Sequence, residues 1–100
     1  MKIFKVTPKQ AEYFDMGSKG KCSALYIKAE SENDARYFAL LNKQTSTIQD
    51  VVIGKPPALF ENMFTPDNAN CIELSIPESQ NMSIEDDLGI NLIKIDLSER

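Results

Sequence analysis

The chain has 100 residues, of which 42% are hydrophobic and 26% are charged, and its net charge at pH 7 is −4. This length suits a single domain over residues 1–100, and the composition excludes a disordered chain. No apolar run approaches the roughly 20 residues that span a bilayer, and the N-terminus lacks the apolar stretch of a secretion signal. We therefore expect a cytoplasmic protein without a membrane partner.

The charges are distributed unevenly between the two halves of the chain. Residues 1–50 contain eight Lys or Arg and six Asp or Glu, whereas residues 51–100 contain three and nine. Acidic surface repels the phosphate backbone, so direct nucleic-acid binding is disfavoured and a basic protein partner fits more easily. The alternative is that the acidic loops only keep a small protein in solution.

The N-terminal segment predicts a strand followed by a short helix. Ile3–Val6 has the composition of a strand. Thr7 can cap a helix in which Pro8 takes the first position, and Gly17 suits its C-terminal end. The prediction is a helix from Pro8 to Met16.

A second strand and the main helix follow. Residues 22–29 alternate between two faces, which is typical of a strand with one buried side. Ser31 then has the character of an N-cap, with Asp34 three residues later, and the following apolar residues are spaced for a helix to about Lys43. This helix is the expected packing partner of the sheet.

Three further segments predict strands. Residues 47–53 are rich in β-branched side chains, residues 71–76 alternate up to Pro77, and residues 91–97 alternate again after a polar loop over Glu78–Gly89. The predicted fold class is α+β, with an approximately five-stranded mixed, largely antiparallel sheet. One main helix and one or two short helices pack on one face of that sheet.

No catalytic, cofactor or metal site is predicted. The chain has no histidine, which removes the side chain that most readily exchanges protons near neutral pH. Its densest acids, Glu85, Asp86 and Asp87, lie in a predicted solvated loop without the spacing of a calcium site. Cys22 and Cys71 are too far apart in sequence for a paired metal-ligand motif. We expect free thiols there, and a disulfide stays an alternative.

An apolar segment and an acidic segment are the candidate contacts for a protein partner. Residues 58–64 predict one or two helical turns with concentrated apolar surface, which serves either as a lid on the core or as a contact patch. The acidic segment would attract a basic partner. The predicted partner-binding residues are Phe60, Met63, Phe64, Glu85, Asp86 and Asp87.

A nucleic-acid-binding domain is the alternative function. It would use the lysines of the N-terminal half, namely Lys2, Lys5, Lys19, Lys21 and Lys28. Tyr26 beside Lys28 is the nearest approach to a base-stacking surface on a strand. The same tyrosine is explained equally well by the half-buried face of a sheet.

A family resemblance adds to the prediction of a protein-binding module. Ile27–Ser31 continuing into Asp34–Arg36 resembles the strand-to-helix turn of small phage and mobile-element proteins, including anti-CRISPR inhibitors. The resemblance implies a non-enzymatic inhibitor that occupies a functional surface of a larger protein or nucleic-acid machine, and it carries no site residues across. An immunity protein or accessory subunit of a complex is the alternative, and an exposed sheet edge could equally join two copies.

Overall fold

The computed structural model of the chain describes residues 2–16, 20–44, 63–82, 84 and 88–98. Its strands and helices confirm the α+β class, and every strand pairing among these residues is antiparallel. In chain order the elements are β1 (Lys2–Pro8), β2 (Phe14–Asp15), β3 (Lys21–Ala29), α1 (Glu32–Gln44), β4 (Ala69–Glu73), α2 (Ile76–Gln80) and β5 (Leu92–Leu97).

The longest strand, β3, lies in the middle of the sheet. It pairs with β1 along one edge and with β5 along the other, and β4 pairs with the far edge of β1. Cys22 pairs with both Phe14 of β2 and Leu97 of β5, so β2 lies on the same edge of β3 as β1. Across the sheet the order is therefore β4, β1, β3 and β5, and the short β2 lies on the same side of β3 as β1.

The helix predicted from Pro8 to Met16 is wrong. Pro8 is the last residue of β1, and the chain bends over residues 9–12 before β2. The Lys9 N–H donates to the Asn68 carbonyl at 2.9 Å, which continues the ladder between β1 and β4. Phe14 and Met16 are both 2% exposed, and burial of alternate residues is the pattern of an extended chain. Pairing with neighbouring strands outweighs the local capping pattern.

The predicted strand-to-helix turn and the main helix are confirmed. The Ser31 hydroxyl accepts a hydrogen bond from the Asp34 N–H at 3.2 Å, as an N-cap does. Ala35, Ala39 and Leu40 of α1 are almost fully buried in the main core. The helix covers one face of the sheet, and its small alanine side chains allow a close approach.

The segment predicted as a strand over residues 71–76 is shorter, and a helix follows it. The strand β4 ends at Glu73, and α2 occupies the start of the predicted polar loop. The Ser75 hydroxyl accepts from the Glu78 N–H at 3.3 Å, and the Glu78 carboxylate accepts from the Ser75 N–H at 3.4 Å. This reciprocal capping box, with Pro77 in the first turn, favours a helix over a continued strand.

The main core lies between α1 and the sheet. Its largest fully buried side chain is Phe64, whose ring centroid lies 4.9 Å from that of Phe14. Cys22 and Cys71 are both buried and are not joined by a disulfide. The predicted strand over residues 47–53 and the first part of the predicted turns over residues 58–64 lie outside the described residues.

Candidate interaction surface

A row of directly paired residues crosses the four long strands on the sheet face that points away from α1. Ile72 of β4 pairs with Lys5 of β1, Lys5 pairs with Tyr26 of β3, and Tyr26 pairs with Lys94 of β5. Residues directly opposite each other in antiparallel strands project to the same face. We call this surface the Tyr26 face, and it also includes Lys28, which pairs with Ile3.

Tyr26 is the centre of a polar network on this face. Its hydroxyl donates to the Asp96 carboxylate at 2.9 Å, and that carboxylate also lies 3.8 Å from the Lys94 ammonium. The ammonium groups of Lys5 and Lys94 lie 5.8 and 5.2 Å from the centroid of the tyrosine ring. These distances are typical of cation–π contacts. Tyr26 is only 8% exposed, so its ring is not a free stacking surface.

Apolar side chains surround the network. Ala24 and Ile93 form a small buried cluster with Tyr26. By contrast, Ile72 of the cross-strand row is 59% exposed, and Ile76, at the start of α2, is 71% exposed. Large apolar side chains at this exposure add to the candidate contact area of a surface.

The described strands give the Tyr26 face a positive charge on an acidic protein. Among their residues, Lys5, Lys28 and Lys94 project from this face together with the carboxylate of Asp96, so the strands contribute two more positive than negative charges to it. The whole chain has a net charge of −4. The lysine side chains are partly exposed, so the sign of this face favours an acidic partner.

The environment of Tyr26 predicts a dependence of stability on alkaline pH. Burial, then the hydrogen bond to Asp96 and the negative charge of that carboxylate, raise the pKa of Tyr26 from 10.0 to about 12. The folded protein therefore favours the protonated phenol, and this stabilisation is present below pH 10 and lost as the pH rises from 10 towards 12.

An absorbance titration of tyrosinate, taken as the difference between the wild type and Tyr26→Phe, is expected to show ionisation of this residue near pH 12. The variant Asp96→Asn removes the charge and should lower that pKa towards 10 while burial still acts. Ionisation of Tyr26 in the wild type at its ordinary pKa would contradict the geometry of the network.

The predicted apolar contact residues are placed in different environments. Phe64 is 1% exposed and belongs to the core, so its side chain is not part of an exposed patch. Met63 is partly buried and packs against that core. Phe60, Glu85, Asp86 and Asp87 lie outside the described residues.

Met63 lines a groove that the sequence does not reveal. The groove has a volume of about 300 Å³ and lies between residues 9–13 and the turn over residues 63–68. Pro8, Tyr13 and Phe14 line it together with Met63. The side chain of Gln10 donates to the Asp67 carbonyl at 3.2 Å, which ties the two walls together. Gln10 and Asp67 are 57 positions apart in sequence, and the pairing of β1 with β4 brings them together.

The lysines of the N-terminal half do not gather on one surface. Lys5 and Lys28 lie on the Tyr26 face, whereas Lys2 forms an ion pair with Glu73 at 3.5 Å. The ammonium of Lys21 lies 4.8 Å from the centroid of the Tyr13 ring, outside the cross-strand row. Lys19 lies outside the described residues. The positive surface that does form depends on Lys94, which is not among the lysines predicted to bind nucleic acid.

The missed residues of the Tyr26 face, Ile72 and Lys94, have a weak signal in the sequence. Each stands in an alternating segment, at a position that alternation assigns to one side of a strand. Whether these positions lie next to each other depends on which strands are neighbours, and the alternation pattern does not give the order of the strands.

The described residues show neither a metal site nor a membrane span. They contain no group of three or more Cys, Asp or Glu side chains that could hold a metal ion. Burial raises the pKa of Cys71 to about 11, with the positive charge of Arg36 lowering it and the negative charge of Glu32 raising it, and this disfavours the reactive thiolate. No helix in this part of the chain is long and apolar enough to cross a membrane.

Comparisons with protein families, with curated proteins and with solved structures found no match to this chain.

Proposed function

We propose that this chain is a non-catalytic protein-binding module that engages an acidic partner through the Tyr26 face. The observation that carries the proposal is the row of Ile72, Lys5, Tyr26 and Lys94 across the sheet. It places an exposed apolar anchor beside two lysines on a platform built from regular strands. Apolar anchors with a charged surround are typical of protein interfaces.

A protein fits this surface better than a nucleic acid. Single-stranded nucleic acids are held by exposed aromatic rings on which bases stack. Tyr26 is covered by its neighbours, and Phe4, Phe14 and Phe64 are buried in the core. The exposed side chain paired with Lys5 is Ile72, which suits the apolar groups of a protein.

The form of this function that we propose is inhibition of a larger protein, as the resemblance of the strand-to-helix turn implies. A rigid surface needs little ordering on binding, which favours tight association. Lys5 and Tyr26 lie in the middle of the sheet, where strands pair on both sides. An inhibitor of this kind would act by occupying an acidic surface of its target.

The test compares captures from the lysate of the native host by three immobilised forms of the protein. They are the wild type, the double variant Lys5→Glu with Ile72→Asp, and the control Lys43→Glu, which makes the same Lys-to-Glu reversal at an exposed position on α1. We expect one protein to be retained in a fixed ratio by the wild type and the control and lost by the double variant. Charge reversal at an interface replaces attraction with repulsion.

The purified partner should then bind the wild type with an affinity that the double variant lowers about 100-fold or more, a loss of about 3 kcal/mol. Equal retention by all three forms would contradict the proposal. Material that is retained only while nucleic acid is intact would show that the lysines contact a nucleic acid instead. Circular dichroism of the double variant establishes that it is folded.

A further inference from the structure

One edge of β5 pairs with β3. No described strand pairs with its other, outer edge, so the backbone groups along that edge can pair with another strand. The Asp96 carbonyl accepts from the Ser23 hydroxyl at 3.2 Å, and the Ser98 N–H donates to the Lys21 carbonyl at 2.8 Å. These backbone groups point towards β3. Because direction alternates along an antiparallel strand, the N–H and C=O groups of Ile95 and Leu97 point outwards.

The sequence of β5 is complementary to itself when two copies run antiparallel about Ile95. In that register Lys94 of each copy lies opposite Asp96 of the other, so two attractive charge pairs form at once. Both side chains are on the Tyr26 face, with 35% and 38% of their surfaces exposed, and they can therefore reach a partner. Opposite charges directly across antiparallel strands stabilise the pairing.

Apolar residues continue this complementarity. Ile95 lies opposite its own copy at the centre, and its partly buried side chain packs against the main core. Leu97 is 65% exposed and comes opposite the backbone of Ile93 of the other copy. Pairing would thus cover an apolar side chain that the single chain leaves in water.

The other edge of the sheet, on β4, is less suited to self-pairing. The Ala69 N–H donates to the Thr65 carbonyl at 2.9 Å, and the Ala69 carbonyl accepts from Arg36 at 2.8 Å. Both backbone groups at that end of the edge are already used. An antiparallel pairing about Cys71 would place Asn70 opposite Ile72, without any charge complementarity.

We propose that two copies of this chain associate through the outer edges of β5, in an antiparallel pairing centred on Ile95. A two-fold axis through Ile95 would join the two sheets into one continuous sheet, an isologous contact that closes on itself. Because the axis runs perpendicular to the sheet, both Tyr26 faces would lie on the same side. The dimer would then present two copies of the proposed binding surface, which goes beyond the proposed function and does not depend on it.

The test uses charge exchange between two variants, measured by sedimentation equilibrium up to millimolar concentration. The wild type is expected to dimerise. Lys94→Glu places two acids around Ile95 and Asp96→Lys places two lysines there, so each variant alone should self-associate about 10-fold or more weakly, since both pairs become repulsive. An equimolar mixture of the two variants restores both attractive pairs and should form a heterodimer.

Hydrogen exchange adds a readout of the register itself. The outward amides of Ile95 and Leu97 should be protected in concentrated wild-type protein and should lose that protection on dilution, whereas the inward amide of Ser98 should change little. A wild type that stays monomeric, or a mixture of the variants that does, would overturn the proposal. So would self-association that Lys94→Glu leaves as strong as in the control Lys43→Glu. Circular dichroism of each variant establishes that it is folded.

Discussion

Replacing Asn42 with alanine is expected to lower the free energy of unfolding by about 2–4 kcal/mol, because it leaves the partly buried backbone N–H and C=O groups of Ile90 without this partner. Asn42 is 3% exposed on α1. Its amide nitrogen donates to the carbonyls of Phe38 and Ile90, each at 2.8 Å, and its amide oxygen accepts from the Ile90 N–H at 2.7 Å. One side chain therefore satisfies both backbone groups of Ile90, just before β5 begins.

Chemical denaturation of the purified protein measures this loss. Asn33→Ala is the matched control, since Asn33 is exposed on the same helix and its replacement should change stability by less than about 0.5 kcal/mol. Equal stability of the Asn42 and Asn33 variants would contradict the role of Asn42. A second variant, Gly89→Ala, tests the contact from the other side, because a side chain at Gly89 would collide with the Asn42 amide oxygen. We expect it to destabilise the protein as well.

The second large effect is expected at Arg36, where Arg36→Met should cost about 2–4 kcal/mol of stability. One guanidinium nitrogen of Arg36 donates to the carbonyls of Phe64 and Ala69, both at 2.8 Å. The side chain is only 11% exposed. Hydrogen bonds from a charged donor are stronger than neutral ones, and methionine would leave two carbonyls in a partly buried site without this donor. Methionine keeps the apolar stem, so the loss reports the guanidinium.

Arg36 also forms an ion pair with Glu32, and a variant of Glu32 measures the contribution of that ion pair apart from the contribution of the carbonyl contacts. The two groups lie 3.2 Å apart, but the Glu32 side chain is 52% exposed, and exposed ion pairs contribute little to stability. Glu32→Gln should therefore cost less than about 1 kcal/mol in the same denaturation experiment. A loss from Glu32→Gln as large as that from Arg36→Met would show that the carbonyl contacts are not what stabilises the turn over residues 63–68.

Arg36 also links the fold to the groove. It fixes the carbonyls at both sides of the turn that carries Met63, one wall of the groove. The Phe64 ring packs on Phe14, which lies in the opposite wall. Loosening the turn is therefore expected to change the environment of Tyr13 and Met63, which methyl and aromatic NMR shifts of Arg36→Met would reveal.

Local patterns in the sequence determined the elements whose defining contacts are made between residues that are close together in the chain. The alternation of residues 22–29 and the Ser31 cap with Asp34 define β3 and the start of α1 without reference to the rest of the chain. The capping box of Ser75 and Glu78 is equally local. This box is visible in the sequence, but the alternation of residues 71–76 predicts a strand over the same segment.

The tertiary structure decided what depends on contacts between distant segments. Thr7 and Pro8 carry a pattern typical of a helix start, yet the pairing of β1 with β4 and the burial of Phe14 make this segment extended. Backbone hydrogen bonds to neighbouring strands satisfy groups that a short helix would leave open at its ends. The local sequence pattern does not show which strands will lie beside this segment.

The same reason separates what could be predicted of the interaction surface from what could not. The acidic C-terminal half and the absence of histidine are properties of composition, and the expectation of a non-catalytic protein that does not bind nucleic acid rests on them alone. The positive Tyr26 face exists only because the sheet order places Lys5 and Lys94 on either side of Tyr26. Strand order depends on which apolar faces pack best together in the whole chain, so the local sign of charge on this protein is a property of its tertiary structure.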